Sequence, residues 1–509
     1  MAESLRCCIC DEPVSPPPHI IGQRVYCARH YAAINKPHPG FWRAGVVQIV
    51  GMGAFSIILA VLAGGLGELD RSTLILIGLF LAVVPTALWL VYFYRQDRLE
   101  PEPKTRIAQV LLLALLLTDA LGLRLVRDWF QVSNWAATNN LTSLLASILI
   151  QGFTWQAITY VAVRVVVYTT SEFDERMDGI VYGTIAGLGV ATLLNLHYII
   201  DNQGVALAPG AIHVVTTALA QASFGGVMGY FIAQAKFAHM PVWWVPLGVG
   251  VAAVLNGLFS WLINEVSAAG LTVEPWRSLA LGLVVALASF FALVVMMRRA
   301  THATLSRPAV QSAPGAALYR LRTLRKDVGV GVVVLLALGL GWLLRNQVLN
   351  RTQVFQDSDS PFQMAYPATW ASVESLQEAL LKVEDPTTDS AFKTALTVEA
   401  RQLDPQDPPT LQTLIDRRVE QRSALTGYHF LSEAPVTVGG AKAQRLEYAY
   451  VTQPIDAPRR ASLPVVVQAR EYIVVARDNV YYLTLAAPEA EFGDASARFE
   501  QIIQTVQVQ

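Results

Sequence analysis

Four side chains near the N-terminus have the types and spacing of a metal site. They read Cys7-x2-Cys10, then sixteen residues, then Cys27-x2-His30. Three thiolates and one imidazole fill the tetrahedral shell of Zn²⁺ and leave no open position. The two-residue gaps let each pair turn both ligands toward one ion. All four cysteines of the chain lie here, and Cys8 is a spare that fits only with different geometry. A reducing compartment favours metal over disulfide for such a pattern. The expected cofactor is a structural zinc, which contributes folding energy rather than chemistry. An unstructured tail with chance cysteines, or a redox cysteine, is the alternative. His19 sits beside Pro16-Pro17-Pro18 and reads as exposed rather than as a ligand.

A second polar set lies inside apolar stretches: Gln156, Asn195, Gln221 and Asn256. An amide has no useful pKa near neutrality and is a poor zinc ligand, but it gives and accepts hydrogen bonds. Asn195, Gln221 and Asn256 fall at similar depth by residue counting. That reads as a polar centre given over to interhelical hydrogen bonds, worth about 0.6–2 kcal/mol each. The alternative is scattered polar residues with no shared site. Asp119, His197 and His213 are the ionisable groups in or near spans. Each reads either as a satisfied interface residue or as part of a new pathway or metal arrangement.

The elements that must carry these residues are set by composition. Only 15% of the 509 residues are charged and 53% are hydrophobic, with mean hydropathy +0.40. An ordinary soluble domain carries about 25% charge, so a disordered chain is excluded and a purely soluble enzyme is disfavoured. A membrane-crossing helix needs roughly 20 mostly apolar residues. Nine stretches qualify: about 44–66, 73–94, 107–123, 141–165, 179–200, 211–235, 241–263, 276–297 and 328–344. The N-terminus and the segments after the second, fourth, sixth and eighth spans hold 19 basic residues. The other side holds Arg71, Arg124, Arg127, Arg277 and Arg345. The positive-inside rule then places the N-terminus in the cytoplasm and residues 346–509 outside. Met1–Trp42 lacks the apolar core of a signal peptide, so the first span is expected to act as an uncleaved signal. The net charge of −1 is an average: residues 1–345 hold 24 Lys/Arg against 18 Asp/Glu, and residues 346–509 hold 14 against 21.

Two blocks in the bundle carry a family pattern. The first contains Asp97, Glu100, Pro101, Glu102 and Pro103, at the inner end of the second span. The second contains Asp178, Gly179, Tyr182 and Gly183 and runs on to Asn195 and Tyr198. Asp178 is placed to cap the fifth span, and Gly179, Gly183 and Gly187, four apart, give that helix a small face for close contact. Together the blocks resemble the PrsW family, related to glutamate-dependent intramembrane proteases, over roughly residues 75–300. The family elements "D-x-x-E-P-E-P" and "D-G-I-V-Y-G…G-L-G-F…E-N-x-x-Y" occur in order. The resemblance implies a Glu-Glu pair in the fourth span, where this chain reads Thr154-Trp155-Gln156-Ala157. The family's Glu-Asn reads Leu194-Asn195, and its histidines fall at Gln221 and Asn256. Acid, base and metal-ligand positions are thus neutral, whereas hydrolysis needs a carboxylate base or a bound metal to activate water. The N-terminal segment, closing with Tyr26-Cys27-Ala28-Arg29-His30, resembles treble-clef or LIM-type half-modules.

Residues 350–509 read as a soluble α/β domain. Strands are expected at 361–370, 396–400, 436–450, 465–476 and 480–486, the last two joined by an Asp478-Asn479 hairpin. Leu411–Ala424 has helical spacing that buries Leu411, Leu414, Ile415 and Val419, and Phe492–Val506 closes with a helix burying Phe499, Ile502 and Ile503. The element order and the Tyr366-Pro367-Ala368-Thr369-Trp370 entry resemble the PsbP/Mog1-like sandwich. His429 is its one histidine, so no Ser/His/Asp constellation exists there.

The expected protein is mainly α: a polytopic helical membrane bundle with a short zinc-binding module and a C-terminal α/β domain. Its expected parts are a cytoplasmic module (1–43), an eight-span PrsW-like domain (44–300), a basic cytoplasmic linker (301–327), a ninth span (328–345) and an extracytoplasmic domain (346–509). The leading reading is a proteolytically inactive scaffold or sensor in a bacterial plasma membrane. Its partners would be lipid, a cytoplasmic protein and an unidentified outer ligand or protein; nucleic acid is excluded by the lack of aromatic-basic interleaving. The rival is an active PrsW-type intramembrane metalloprotease using displaced residues. A transporter has no support, since no inverted repeat or charged pathway is evident.

Overall fold

The computed structural model describes residues 5–7, 10, 12–21, 24–34, scattered positions between 43 and 54, 71–96, 102–170, 172–201, 207–238, 240–268, 275–305, 316–357, 360–373, 379–388, 390–404, 406, 409–453 and 464–508. It divides into two units: Met1–Phe130 with Asn139–Leu343, and Gln131–Thr138 with Leu344–Gln509.

In the first unit, an antiparallel hairpin of β1 (His19–Ile21) and β2 (Arg24–Tyr26) leads through Cys27 into α1 (Ala28–Ile34). The apolar runs form α2 (Arg71–Gln96), α3 (Lys104–Leu117), α4 (Asn140–Ala146), α5 (Phe153–Val166), α6 (Arg176–Asp201), α7 (Leu207–Phe237), α8 (Trp244–Ala268), α9 (Pro275–Leu305) and α10 (Ala316–Leu349). A wider, π-type winding extends α3 over Thr118–Trp129 and joins α4 to α5 over Ser147–Gly152. Among the described residues, seven stretches are long and apolar enough to cross a membrane. The expected first span, about 44–66, falls almost wholly outside the described residues, as do Cys8, Asp97, Glu100 and Pro101.

Two differences from the sequence reading have simple causes. The third span runs Lys104–Trp135 rather than 107–123, because Arg124, Arg127 and Asp128 sit on its helical continuation instead of ending it. The basic linker is helical at both edges, through Leu305 and again from Ala316. Its Ala, Leu and Arg content favours helix wherever the side chains are solvated.

Helix α6 is the centre of the bundle, and it is buried almost continuously from Met177 to Leu193. A Cβ at Gly179, Gly183 or Gly187 would fall inside contact distance of the backbone carbonyl oxygens of Gly229, Gly225 and Gln221 on α7. The two antiparallel helices therefore touch backbone to backbone, the arrangement small residues allow. Gly152 meets Ala253 and Gly257 meets Ile148 in the same way, which fixes α8 against the α4–α5 span.

The second unit is a seven-stranded antiparallel sheet in the order β5-β6-β7-β11-β10-β9-β8, with a separate β3-β4 hairpin. The strands are β3 (Thr352–Gln356), β4 (Gln363–Pro367), β5 (Ala371–Ser372), β6 (Ala379–Glu384), β7 (Ala395–Gln402), β8 (His429–Val438), β9 (Ala441–Thr452), β10 (Val465–Ala476) and β11 (Asn479–Pro488). Alternation along β11 supplies two cores. Tyr481, Leu483 and Leu485 pack with Phe362 and with Phe499 and Ile502 of α12 (Phe492–Ile503), whereas Val480 and Tyr482 pack with Leu414 and Ile415 of α11 (Leu411–Ser423). The expected strand 436–450 is two strands, because Gly439 and Gly440 take φ of 55° and 81° and turn the chain. The second hairpin turns at Arg477-Asp478, not Asp478-Asn479: Ala476 pairs with Asn479, and Arg477 takes the left-handed φ of 51°.

Candidate functional site

The N-terminal ligands come from three local elements. Cys7 and Cys10 lie on a tight loop closed by Cys7 N–H donating to Glu12 O and Val14 N–H to Leu5 O. Cys27 directly succeeds β2, and His30 sits in the first turn of α1. The His30 Nδ1 is 3.2 Å from Cys27 Sγ and 3.5 Å from Cys7 Sγ, and Cys10 Sγ is 4.0 Å from Cys27 Sγ. All four ligand atoms lie within 4.8 Å of one another. Ligand bonds of about 2.0–2.3 Å in a tetrahedron place neighbouring ligand atoms roughly 3.5–4 Å apart, so donor set and spacing fit a divalent ion of this size. Among the described residues, no other set of three or more His, Cys, Asp or Glu forms such a group. His19 instead stacks on Tyr31 at 4.2 Å.

The amides of the bundle are all buried: Gln156, Asn195 and Asn256 are 0% exposed and Gln221 is 2%. Only two of them meet. Gln221 Nε2 donates to Asn256 Oδ1 at 3.1 Å, and Asn256 Nδ2 donates back to Gln221 Oε1 at 2.8 Å. Asn195 Nδ2 donates to Val214 O at 3.1 Å instead. Gln156 has no hydrogen-bond partner for either side-chain atom among the described residues. The shared depth expected for Asn195 fails for a geometric reason. Gln221 abuts Gly187, eight residues before Asn195, or about 12 Å along the helix.

His197 Nε2 lies 3.4 Å from Asp119 Oδ1, with Asp119 61% exposed. His213 stacks on Tyr198 at 3.8 Å and does not join that pair in a metal group.

Buried acids lie elsewhere. Glu102, 5% exposed, accepts from Tyr182 Oη at 2.5 Å. Asp178 does not sit at the N-cap. It is the third residue of α6, and its carboxylate accepts from Glu175 N–H at 2.6 Å, which is the reach-back half of a capping box. Glu102 was legible only as an interface charge, because its burial depends on Tyr182, eighty residues on. A further tie lies in the first half of α10. Asp327 accepts from Tyr160 Oη at 2.5 Å and from Arg164 at 2.7 and 2.9 Å, and Lys326 Nζ donates to Ala235 O at 2.7 Å. Its signal in the sequence is that Asp327 is the one acid in the basic stretch 298–327.

Comparison with known proteins gives this geometry a family. The profile of the PrsW family intramembrane metalloproteases matches residues 102–311. Protease PrsW of Bacillus subtilis (strain 168) is 27% identical over 191 residues, 36% of this chain and 82% of that protein. Protease PrsW of Geobacillus kaustophilus (strain HTA426) is 30% identical over 184 residues, 36% of this chain and 77% of that protein. The chain belongs to the PrsW family. Within that PrsW region lie the glycine-faced α6–α7 pair, the Glu102–Tyr182 contact and all four amides. Among solved structures, the cyanobacterial PsbP of Synechocystis sp. PCC 6803 is similar at 13% identity, covering 31% of this chain and 92% of that one, with a TM-score of 0.24. LpqN of Mycobacterium tuberculosis is similar at 12% identity, 31% and 91% coverage and the same TM-score. At those scores neither likeness assigns a fold family to any part of the chain.

Proposed function

We propose that this PrsW-family membrane protein is proteolytically inactive and serves as a scaffold or sensor, linking a cytoplasmic zinc module to an outer binding domain. The observation that carries the reading is the reciprocal Gln221–Asn256 amide pair. The family resemblance puts histidines at those two positions. Here each amide satisfies the other, and neither has a lone pair of useful basicity to offer a metal or a water. Gln156, at the position of the family's acid, cannot accept a proton. The N-terminal cluster is closed at four ligands, so zinc there holds the module together and presents no site for a substrate.

The competing reading is an active peptidase with displaced groups, and the His197–Asp119 contact is what favours it. One assay separates the two. The purified full chain, reconstituted with a single-span substrate protein, is expected to leave the substrate intact with and without added zinc. Chelator-sensitive cleavage that is lost in H197A or D119N would establish the rival and overturn the inactive reading.

A further inference from the structure

One face of the C-terminal sheet holds an open groove of about 880 Å³ beside α11. Its floor includes one face of β7, where Ala395, Thr397, Glu399 and Arg401 succeed one another at every second position. Ala379, Ala395 and Ala486 line it with small side chains. Its middle is electrically closed. Arg418, 3% exposed, pairs with Glu471 at 2.6 Å and with Glu399 at 2.9 Å, and Arg422 pairs with Glu471 at 3.1 Å. Lys382 is held by Glu384 at 3.2 Å.

Two cations are left over, one toward each end. Lys393 donates to the Thr388 carbonyl, and neither Lys393 nor Arg401 has an ion pair among the described residues. The two cations are eight residues apart, Lys393 lying two residues before β7, and the strand alone, at about 3.3–3.4 Å per residue, covers roughly 20 Å from Ala395 to Arg401. A lone phosphate or carboxylate cannot reach both ends. An extended segment of about six residues can.

We propose that this groove binds an extended acidic peptide segment of about six residues, with carboxylates near both ends held by Lys393 and Arg401. The segment would lie along β7, its middle passing over the network in which Arg418 and Arg422 are balanced by Glu399 and Glu471. The inference rests on the reading of this unit as a binding module, and it is independent of whether the membrane bundle cleaves anything.

The test is fluorescence anisotropy of the full chain in detergent with a labelled hexapeptide, Glu-Glu-Ala-Ala-Glu-Glu, against its all-lysine counterpart. The acidic peptide is expected to bind and to weaken as salt is raised, and the basic one not to bind. The double variant K393E/R401E is expected to weaken binding at least tenfold, while K442E, a charge reversal beside the β8–β9 turn, leaves it unchanged. Unfolding midpoints of the two variants serve as the folding control. Binding equal in K393E/R401E and K442E would overturn the proposal, as would equal capture of the basic peptide. Displacement by inorganic phosphate where chloride does nothing would mark a single-anion site and overturn it too. Loss of binding beside intact inactivity toward a membrane substrate would sink this inference alone.

Discussion

Gln221 and Asn256 exchange two hydrogen bonds, and Asn256 Oδ1 takes a longer one from Ser260 Oγ at 3.5 Å, so neither can change alone without leaving a buried amide group of the other unpaired. Leaving such a group unsatisfied costs about 1–3 kcal/mol, whereas replacing both partners by apolar groups is nearly neutral. Q221L and N256L are therefore each expected to lower the unfolding midpoint in detergent, and Q221L/N256L to regain most of the loss. Simple additivity of the two single losses would show that the pair contributes nothing as a pair. The metal cluster makes an equally local prediction. Metal analysis of the purified full chain should find one zinc, lost in C7S, C10S, C27S and H30A and kept in C8S. Retention of zinc in C27S, or its loss in C8S, would refute the ligand set. These two sites also show what residue spacing conveys. The four ligands lie on one loop, one hairpin and one turn of helix, so sequence distance nearly is spatial distance. The amides lie on different helices, and their axial offset is set by the glycine contacts of α6 with α7, which residue counting from uncertain span ends does not see.

The element that decides the C-terminal unit's behaviour in acid is β10, which brings Glu471 to a site of 0% exposure. Burial alone would push that carboxyl up. The guanidinium groups of Arg422 and Arg418 outweigh it and hold the group below its ordinary 4.5. Arg418 also lies over the Tyr482 ring at 4.3 Å, and Thr484 Oγ1 donates to the same carboxylate. A depressed folded-state pKa gives stability that is present above the unfolded value and lost as pH falls through the folded one. The C-terminal sheet is expected to hold its stability down to about pH 4.5 and to lose it below that. In E471Q the buried Arg418 and the half-buried Arg422 lose one of their two carboxylate partners, Glu399 remaining. That change is expected to destabilise the unit by about 3–5 kcal/mol and to flatten the acid limb of its stability profile, read by circular dichroism of the sheet against pH. An unchanged acid limb in E471Q would show that another carboxylate controls it. Helix α11 was legible from its apolar spacing at Leu411, Leu414, Ile415 and Val419, yet the same spacing hid Arg418. A cation on the buried stripe is stable only because β7 and β10, distant in sequence, supply Glu399 and Glu471.

Across the whole molecule, side-chain ties and charge distribution bear on the same question of sidedness. Lys326 and Asp327, early in α10, are tied to Ala235 near the end of α7 and to Tyr160 and Arg164 near the end of α5. Those three helix ends therefore share one side of the bundle. From Asp327 to Leu349 the helix rises about 33 Å, enough to cross a hydrocarbon core of about 30 Å. The chain past Leu349 is therefore expected to emerge on the side opposite Asp327. The sequence reading puts 19 of the 24 basic residues before position 346 on the Asp327 side, and by the positive-inside rule it is the side expected to be cytoplasmic. The acidic C-terminal segment, with 14 Lys/Arg against 21 Asp/Glu, is expected outside. An alkaline phosphatase fusion after Gln509 should be active, and the same reporter inserted between α9 and α10 should be silent. The reverse pattern would place the zinc module and the α/β unit on exchanged sides. Activity at both points would mean that α10 does not span the bilayer, and would remove the link between the two modules on which the scaffold reading depends.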